Sequence, residues 1–133
     1  MAWEIPLFDM GNLVAASNLA AKQYFCVKIN SSGQVALCDT DGEVVDGILQ
    51  NKPGSGVAAA VRMAGVSKLE AGETLAAGDL WGTDSSGKAK KIEATVTGAD
   101  VGDFFGGRVI EGGDSGEVIT VTIGLINGLV EAQ

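Results

Sequence analysis

The sequence predicts an all-β domain, on three observations. Short apolar runs recur every 8–12 residues with turn signals between them, the spacing of a sandwich or closed barrel. No stretch of 12 residues carries a 3.6-residue apolar period, so no amphipathic helix is expected. Gly is 20 of 133 residues, about twice ordinary usage, and it falls between the apolar runs. The architecture expected is a small β-barrel or β-clip-like sandwich of short antiparallel strands with an extended N-terminal arm. Its divisions are 1–11 for the arm, 12–124 for the β domain and 125–133 for a C-terminal tail.

The arm contains Trp3, Ile5, Leu7 and Phe8, with Pro6 and Gly11 expected to interrupt any regular element. An apolar arm either closes its own barrel or lies on a neighbour. Residues 13–21 read as a strand and then a turn. The runs 24–29 and 35–38 flank Asn30-Ser31-Ser32-Gly33, and 80–83 and 89–92 flank Asp84-Ser85-Ser86-Gly87. A short polar loop ending in Gly is the grammar of a hairpin. The centre of the chain is 44–65, where 44–49 and 57–63 read as strands around a connector, 50–56. Shorter pieces follow at 66–69 and 70–74. Residues 95–103 are the most Gly/Asp-rich connector and are expected to move. Val118–Ile123 is β-branched at almost every position and is the clearest strand.

Composition restricts function. Nine basic against 17 acidic residues give a net charge of −8, which disfavours nucleic acid and anionic membranes. No run reaches the ~18 apolar residues of a membrane span. The N-terminus lacks the basic start of a signal peptide, so synthesis in the cytoplasm is expected. Asn30-Ser31-Ser32 then matches a glycosylation sequon by accident. The cluster Lys88, Lys90, Lys91 reads as a solvated hairpin end.

No catalytic constellation emerges. Gly113-Asp114-Ser115-Gly116 has the letters of a serine-protease nucleophile, but the chain has no His to act as base. Asp and Ser in a Gly-flanked turn bond their own backbone, which accounts for those residues. Asp39, Asp41 and Glu43 resemble a fragment of a calcium loop but are too few. Gly54-Ser55-Gly56 lacks the Lys-Ser/Thr of a phosphate loop. Asp100 and Asp103 read as a solvated loop. Cys26 and Cys38 face each other across the first hairpin; in a reducing cytoplasm they are expected as buried thiols, not as a bridge or a zinc site. No cofactor and no metal are expected.

Lys22-Gln23-Tyr24, Gly47-Ile48-Leu49-Gln50-Asn51-Lys52-Pro53, Ala64-Gly65-Val66-Ser67-Lys68, Ala77-Gly78-Asp79 and Gly87-Lys88 together resemble, in order and spacing, the small head-decoration proteins of tailed bacteriophages, also called capsid cement proteins. Residues 69–80 separately resemble the paired turns of β-clip domains. The resemblance implies no enzyme. It implies a structural protein on the outer surface of the phage head that stabilises contacts between major capsid protein subunits, made in the host cytoplasm. Position on a capsid symmetry axis would make the protein a homo-oligomer, a trimer first and a dimer second. No contact residue is carried over from the family. The sequence itself nominates Trp3, Ile5, Leu7 and Phe8 on the arm. Trp81, Phe104 and Phe105 are candidates either as anchors at an interface or as ordinary core. The alternatives are a tail or spike accessory domain that binds a host surface and, further off, a hydrolase through Ser115 or the carboxylates.

Overall fold

A computed structural model describes residues 2–93, 100–124 and 127–130. These residues form strands and turns without a helix. In chain order the strands are β1 (Ile5–Val14), β2 (Cys26–Ile29), β3 (Val35–Leu37), β4 (Gly47–Leu49), β5 (Ala58–Glu70), β6 (Leu80–Thr83), β7 (Ala89–Ile92), β8 (Phe104–Phe105), β9 (Gly107–Glu111), β10 (Val118–Ile123) and β11 (Gly128–Leu129). The main sheet runs β3-β2-β4-β5-β10-β9-β6-β7, with β1 also paired to β5; β8 and β11 form a separate ribbon. Every strand pairing is antiparallel.

Both polar loops make the hairpins that their sequences predict, and they do so with the same chemistry. Asn30 Oδ1 accepts the N–H groups of Ser32 and Gln34. Asp84 Oδ1 accepts those of Ser86 and Lys88. Gly33 and Gly87 supply the positive φ that closes each loop, +74° and +80°.

The sheet curls into a half-barrel because its far end folds back on its beginning. The Cys26 N–H donates to the Gly87 carbonyl at 2.7 Å, and the Gly72 N–H to that of Ala89 at 2.8 Å. One core fills the curl: Cys26, Cys38, Val45, Ile48, Leu69, Ala71, Leu75, Trp81, Ala89, Val109, Ile119, Val121 and Ile123. A second, of Ala15, Leu19, Val27, Val35, Leu49, Ala59 and Val61, lies beneath the segment that follows β1. Each fully buried large aliphatic contributes roughly 1.5–3 kcal/mol. With so few aromatics, many thin β-branched contacts share the work.

Three expectations are corrected. The chain does not break after residue 63: β5 runs thirteen residues, to Glu70. Gly65 allows this by adopting φ +113°, where a Cβ would stand 2.4 Å from the Ile5 carbonyl oxygen. Pro6 and Gly11 do not prevent a strand either. Residues 5–14 pair with β5 and absorb the irregular positions as register shifts between Pro6 and Phe8, Phe8 and Asp9, and Met10 and Leu13. The first hairpin strand begins at Cys26 and not at 24, because Tyr24 takes a left-handed φ of +67°. That conformation costs about 1–3 kcal/mol in a non-glycine residue. Two backbone bonds hold it: Tyr24 N–H to Leu49 O at 2.7 Å, and Glu70 N–H to Tyr24 O at 2.8 Å.

The expected moving connector, 95–103, lies largely outside the described residues. Its described end, from Asp100, turns into β8. Of the tail at 125–133, Gly128 and Leu129 pair with Phe105 and Phe104.

Candidate interaction surface

β1 and the residues just before it carry the largest run of exposed apolar side chains among the described residues. Ile5, Leu7 and Phe8 are exposed, Leu7 to 79%, and Trp3 just before the strand is exposed as well. Among the described residues β1 pairs with β5 alone, so its second edge has no partner strand. An open edge with apolar side chains is a template for another chain.

The strand is pinned, not loose. Arg62 in β5 is 7% exposed. Its Nε and Nη2 donate to the two carboxylate oxygens of Asp9 at 2.8 and 2.9 Å, and Nη1 lies 3.3 Å from Glu4 Oε1. The Asp9 hydrogen bonds raise the guanidinium's pKa, so its charge is secure. The Trp3 N–H also donates to Thr120 Oγ1 at 3.0 Å. The signal for Arg62 was a charge within an apolar run, Val61-Arg62-Met63, which requires a buried partner.

The other nominated aromatics sit elsewhere. Trp81 is fully buried and donates its Nε1–H to the Thr122 carbonyl at 2.9 Å. Its ring leaves no space for a side chain at Gly106, where a Cβ would come within 2.3 Å of it. Phe104 and Phe105 are half-buried on β8, the Phe105 ring lying against Gly128. The structure therefore groups Ile5, Leu7 and Phe8 on β1 with Trp3 just before it, and separates them from Trp81.

The carboxylates that invited a metal or an active site are engaged with ammonium groups. Lys28 Nζ bonds Asp39 at 2.7 Å and Glu43 at 2.8 Å. The contact with Lys28 lowers the pKa of Asp39. Lys90 is nearly buried, with Asp103 at 2.5 Å, Asp41 at 2.7 Å and Asp100 at 3.5 Å. Burial works against the charge on Lys90, but Asp103 and Asp41 outweigh it and raise its pKa. This corrects two readings in part. Asp100 and Asp103 are not a solvated loop, and Lys90 is not solvated, whereas Lys91 is exposed and Lys88 half-exposed as a hairpin end. A buried ammonium needs compensation, and the 39–43 and 100–103 turns supply it. Lys88 pairs with Glu70 at 3.1 Å. Ser115 Oγ donates to the Gly72 carbonyl at 3.1 Å.

Cys26 and Cys38 are free and buried, in register, with the Cys38 N–H donating to the Cys26 carbonyl at 3.0 Å. Burial pushes the Cys26 thiol up to about 12 and raises Cys38 as well. Thiols held protonated in this way are poor nucleophiles and poor metal ligands.

Neither a protein-family model nor a curated protein matches this chain. Several solved structures match this fold. The fold is similar to that of a phage head fiber base. The crystal structure of the N base of head fiber gp8.5 from bacteriophage phi29 matches with a TM-score of 0.62, over 89% of this chain and 94% of that one, at 18% sequence identity. At that identity the likeness speaks for the fold alone.

Proposed function

We propose that this chain is a non-enzymatic structural protein of a bacteriophage head. It binds the outer surface of the capsid and stabilises contacts between major capsid protein subunits. The observation that carries the reading is a likeness spanning nearly the whole of a head fiber base. The motifs at 22–24, 47–53 and 64–68 resemble another kind of phage head protein, the decoration proteins.

The geometry supports a docking role for the N-terminal arm, 1–11. An edge strand can extend a neighbouring sheet, and Ile5, Leu7 and Phe8 can fill pockets beside it. Retention on a shell does not require each contact to be tight, because many copies on one lattice gain avidity. A position on a capsid symmetry axis favours a trimer, with a dimer second. The charge of −8 helps keep a high-copy protein soluble.

The test uses heads assembled without this protein, to which purified full-length protein is added. Co-sedimentation followed by electron-microscopy reconstruction should place density at defined symmetry positions on the outside of the head. The double substitution Leu7→Ser/Phe8→Ser should weaken co-sedimentation at least about tenfold, since two buried apolar anchors are removed. These residues are exposed, so the substitution leaves the fold in place. No binding to heads, density confined to the tail, or full binding by the double variant would each overturn the reading.

A further inference from the structure

Away from β1, the chain gathers positive charge at one place. Among the described residues, Lys28, Arg62, Lys88, Lys90 and Lys91 have carboxylate partners. Lys22 and Lys68 have none among the described residues and are held over aromatic rings instead. Lys22 Nζ lies 4.9 Å from the centre of the Phe25 ring, with Lys88 Nζ 5.8 Å from the same ring. Lys68 Nζ lies 5.5 Å from the centre of the Tyr24 ring. Lys52 is exposed on the adjoining segment. That segment is tied to the same turn by Gln23 Nε2 donating to Gln50 O at 2.8 Å, and by the Leu19 N–H donating to Pro53 O at 2.9 Å. Glu70 pairs with Lys88 here.

We infer that Lys22, Lys68 and Lys88, floored by Tyr24 and Phe25 and flanked by Lys52, form a second recognition surface, which takes the carboxylates of an acidic segment of a protein partner.

Three features argue for it. A ring face attracts an ammonium but accepts no strong hydrogen bond, so the donors of Lys22 and Lys68 stay open to an incoming oxygen. The floor is pre-positioned: the left-handed Tyr24 backbone is clamped between Leu49 and Glu70, and Phe25 is buried. The residues at the rings also come from three separate segments, 22–25, 68 and 88, which meet only in the fold.

Charge selects the partner. A chain of −8 repels acidic proteins overall, and a local positive patch is what lets it meet one in a single orientation. A short acidic segment offers two or three carboxylates, which matches the patch. Nucleic acid fits less well. Its binders typically engage about 6–10 phosphates, and a long polyanion would run into the acidic remainder of the surface. The surface is independent of β1: it can fail to bind acidic peptide while the arm still binds heads, and the reverse.

The test uses the full chain and a fluorescein-labelled hexapeptide of alternating Asp and Glu, read by anisotropy. Controls are the Asn/Gln counterpart and an oligothymidylate of equal charge. Binding should be confined to the acidic peptide and should fall steeply between about 20 mM and about 300 mM NaCl, as screening requires. Lys22→Gln/Lys68→Gln should bind at least about tenfold more weakly, while Lys22→Arg/Lys68→Arg should stay within about threefold of the parent. Amide chemical shifts of the unaltered protein provide a reading that does not depend on a variant folding; they should move at Tyr24, Phe25, Lys68 and Lys88. No peptide binding, equal binding by the Gln variant, shifts elsewhere, or tighter binding of the oligonucleotide would each overturn the inference.

Discussion

Arg62 holds Asp9 in a two-pronged grip, Nε to Oδ1 at 2.8 Å and Nη2 to Oδ2 at 2.9 Å. This pair reinforces the backbone ladder that sets β1 against β5. Fork-to-carboxylate geometry adds direction as well as attraction, and here the guanidinium is buried while the carboxylate is partly open. The grip allows an apolar strand to stay in place while Leu7 faces water.

Asp9→Asn should therefore loosen β1 without unfolding the barrel. Asn keeps the size but not the charge, leaving Arg62 with Glu4. We expect a loss of about 1–3 kcal/mol in urea unfolding. Faster amide exchange should be confined to 5–14 and its partner residues in β5. Exchange unchanged in β1 would show that the strand's backbone pairing suffices without the ion pair.

The two tryptophans should report opposite environments. Trp81 is sealed in the core and Trp3 is exposed. Trp3→Phe should remove the acrylamide-quenchable part of the emission and leave a blue-shifted, protected remainder. Trp81→Ala should cost about 3–5 kcal/mol through the cavity it leaves, with the lost bond to Thr122 included. A small cost, or easy quenching of Trp81, would contradict its position.

Alkaline pH should destabilise the protein through Cys26. The thiol's folded pKa is raised to about 12 from an ordinary 9.0, so the unfolded chain ionises first. The stabilisation is fully present below 9.0 and is lost as pH rises from there towards 12. The slope is at most about 1.4 kcal/mol per pH unit. Cys26→Ala should flatten the fall in melting temperature between about pH 9 and 11, although it lowers stability at neutral pH by opening a small cavity. A fall equally steep in the variant would place the cause elsewhere.

Much of the fold was legible because its signals are local. The hairpin at 26–37 and that at 80–92 each follow from an Asn or Asp that bonds its own loop and a Gly that turns left-handed. Val118–Ile123 follows from β-branching. The length of β5 was not legible: Gly65 reads as a strand end, and only the close approach of Ile5 shows why the strand passes through it. The arm's exposed residues were legible as apolar letters in an irregular setting. Their anchoring by Arg62 was not, since the partner lies 53 positions away.

The sequence alone determined an all-β, turn-rich, acidic chain without a histidine base, because composition and short-range periodicity need no partner to act. The tertiary structure decided how its charges and rings are used. Asp41, Asp100 and Asp103 converge on Lys90, Arg62 reaches Asp9, and Lys22, Lys68 and Lys88 collect over Tyr24 and Phe25. Such meetings depend on how the sheet curls and on which strands become neighbours. That is set by burying two cores at once, a cooperative property that no single stretch of the chain carries.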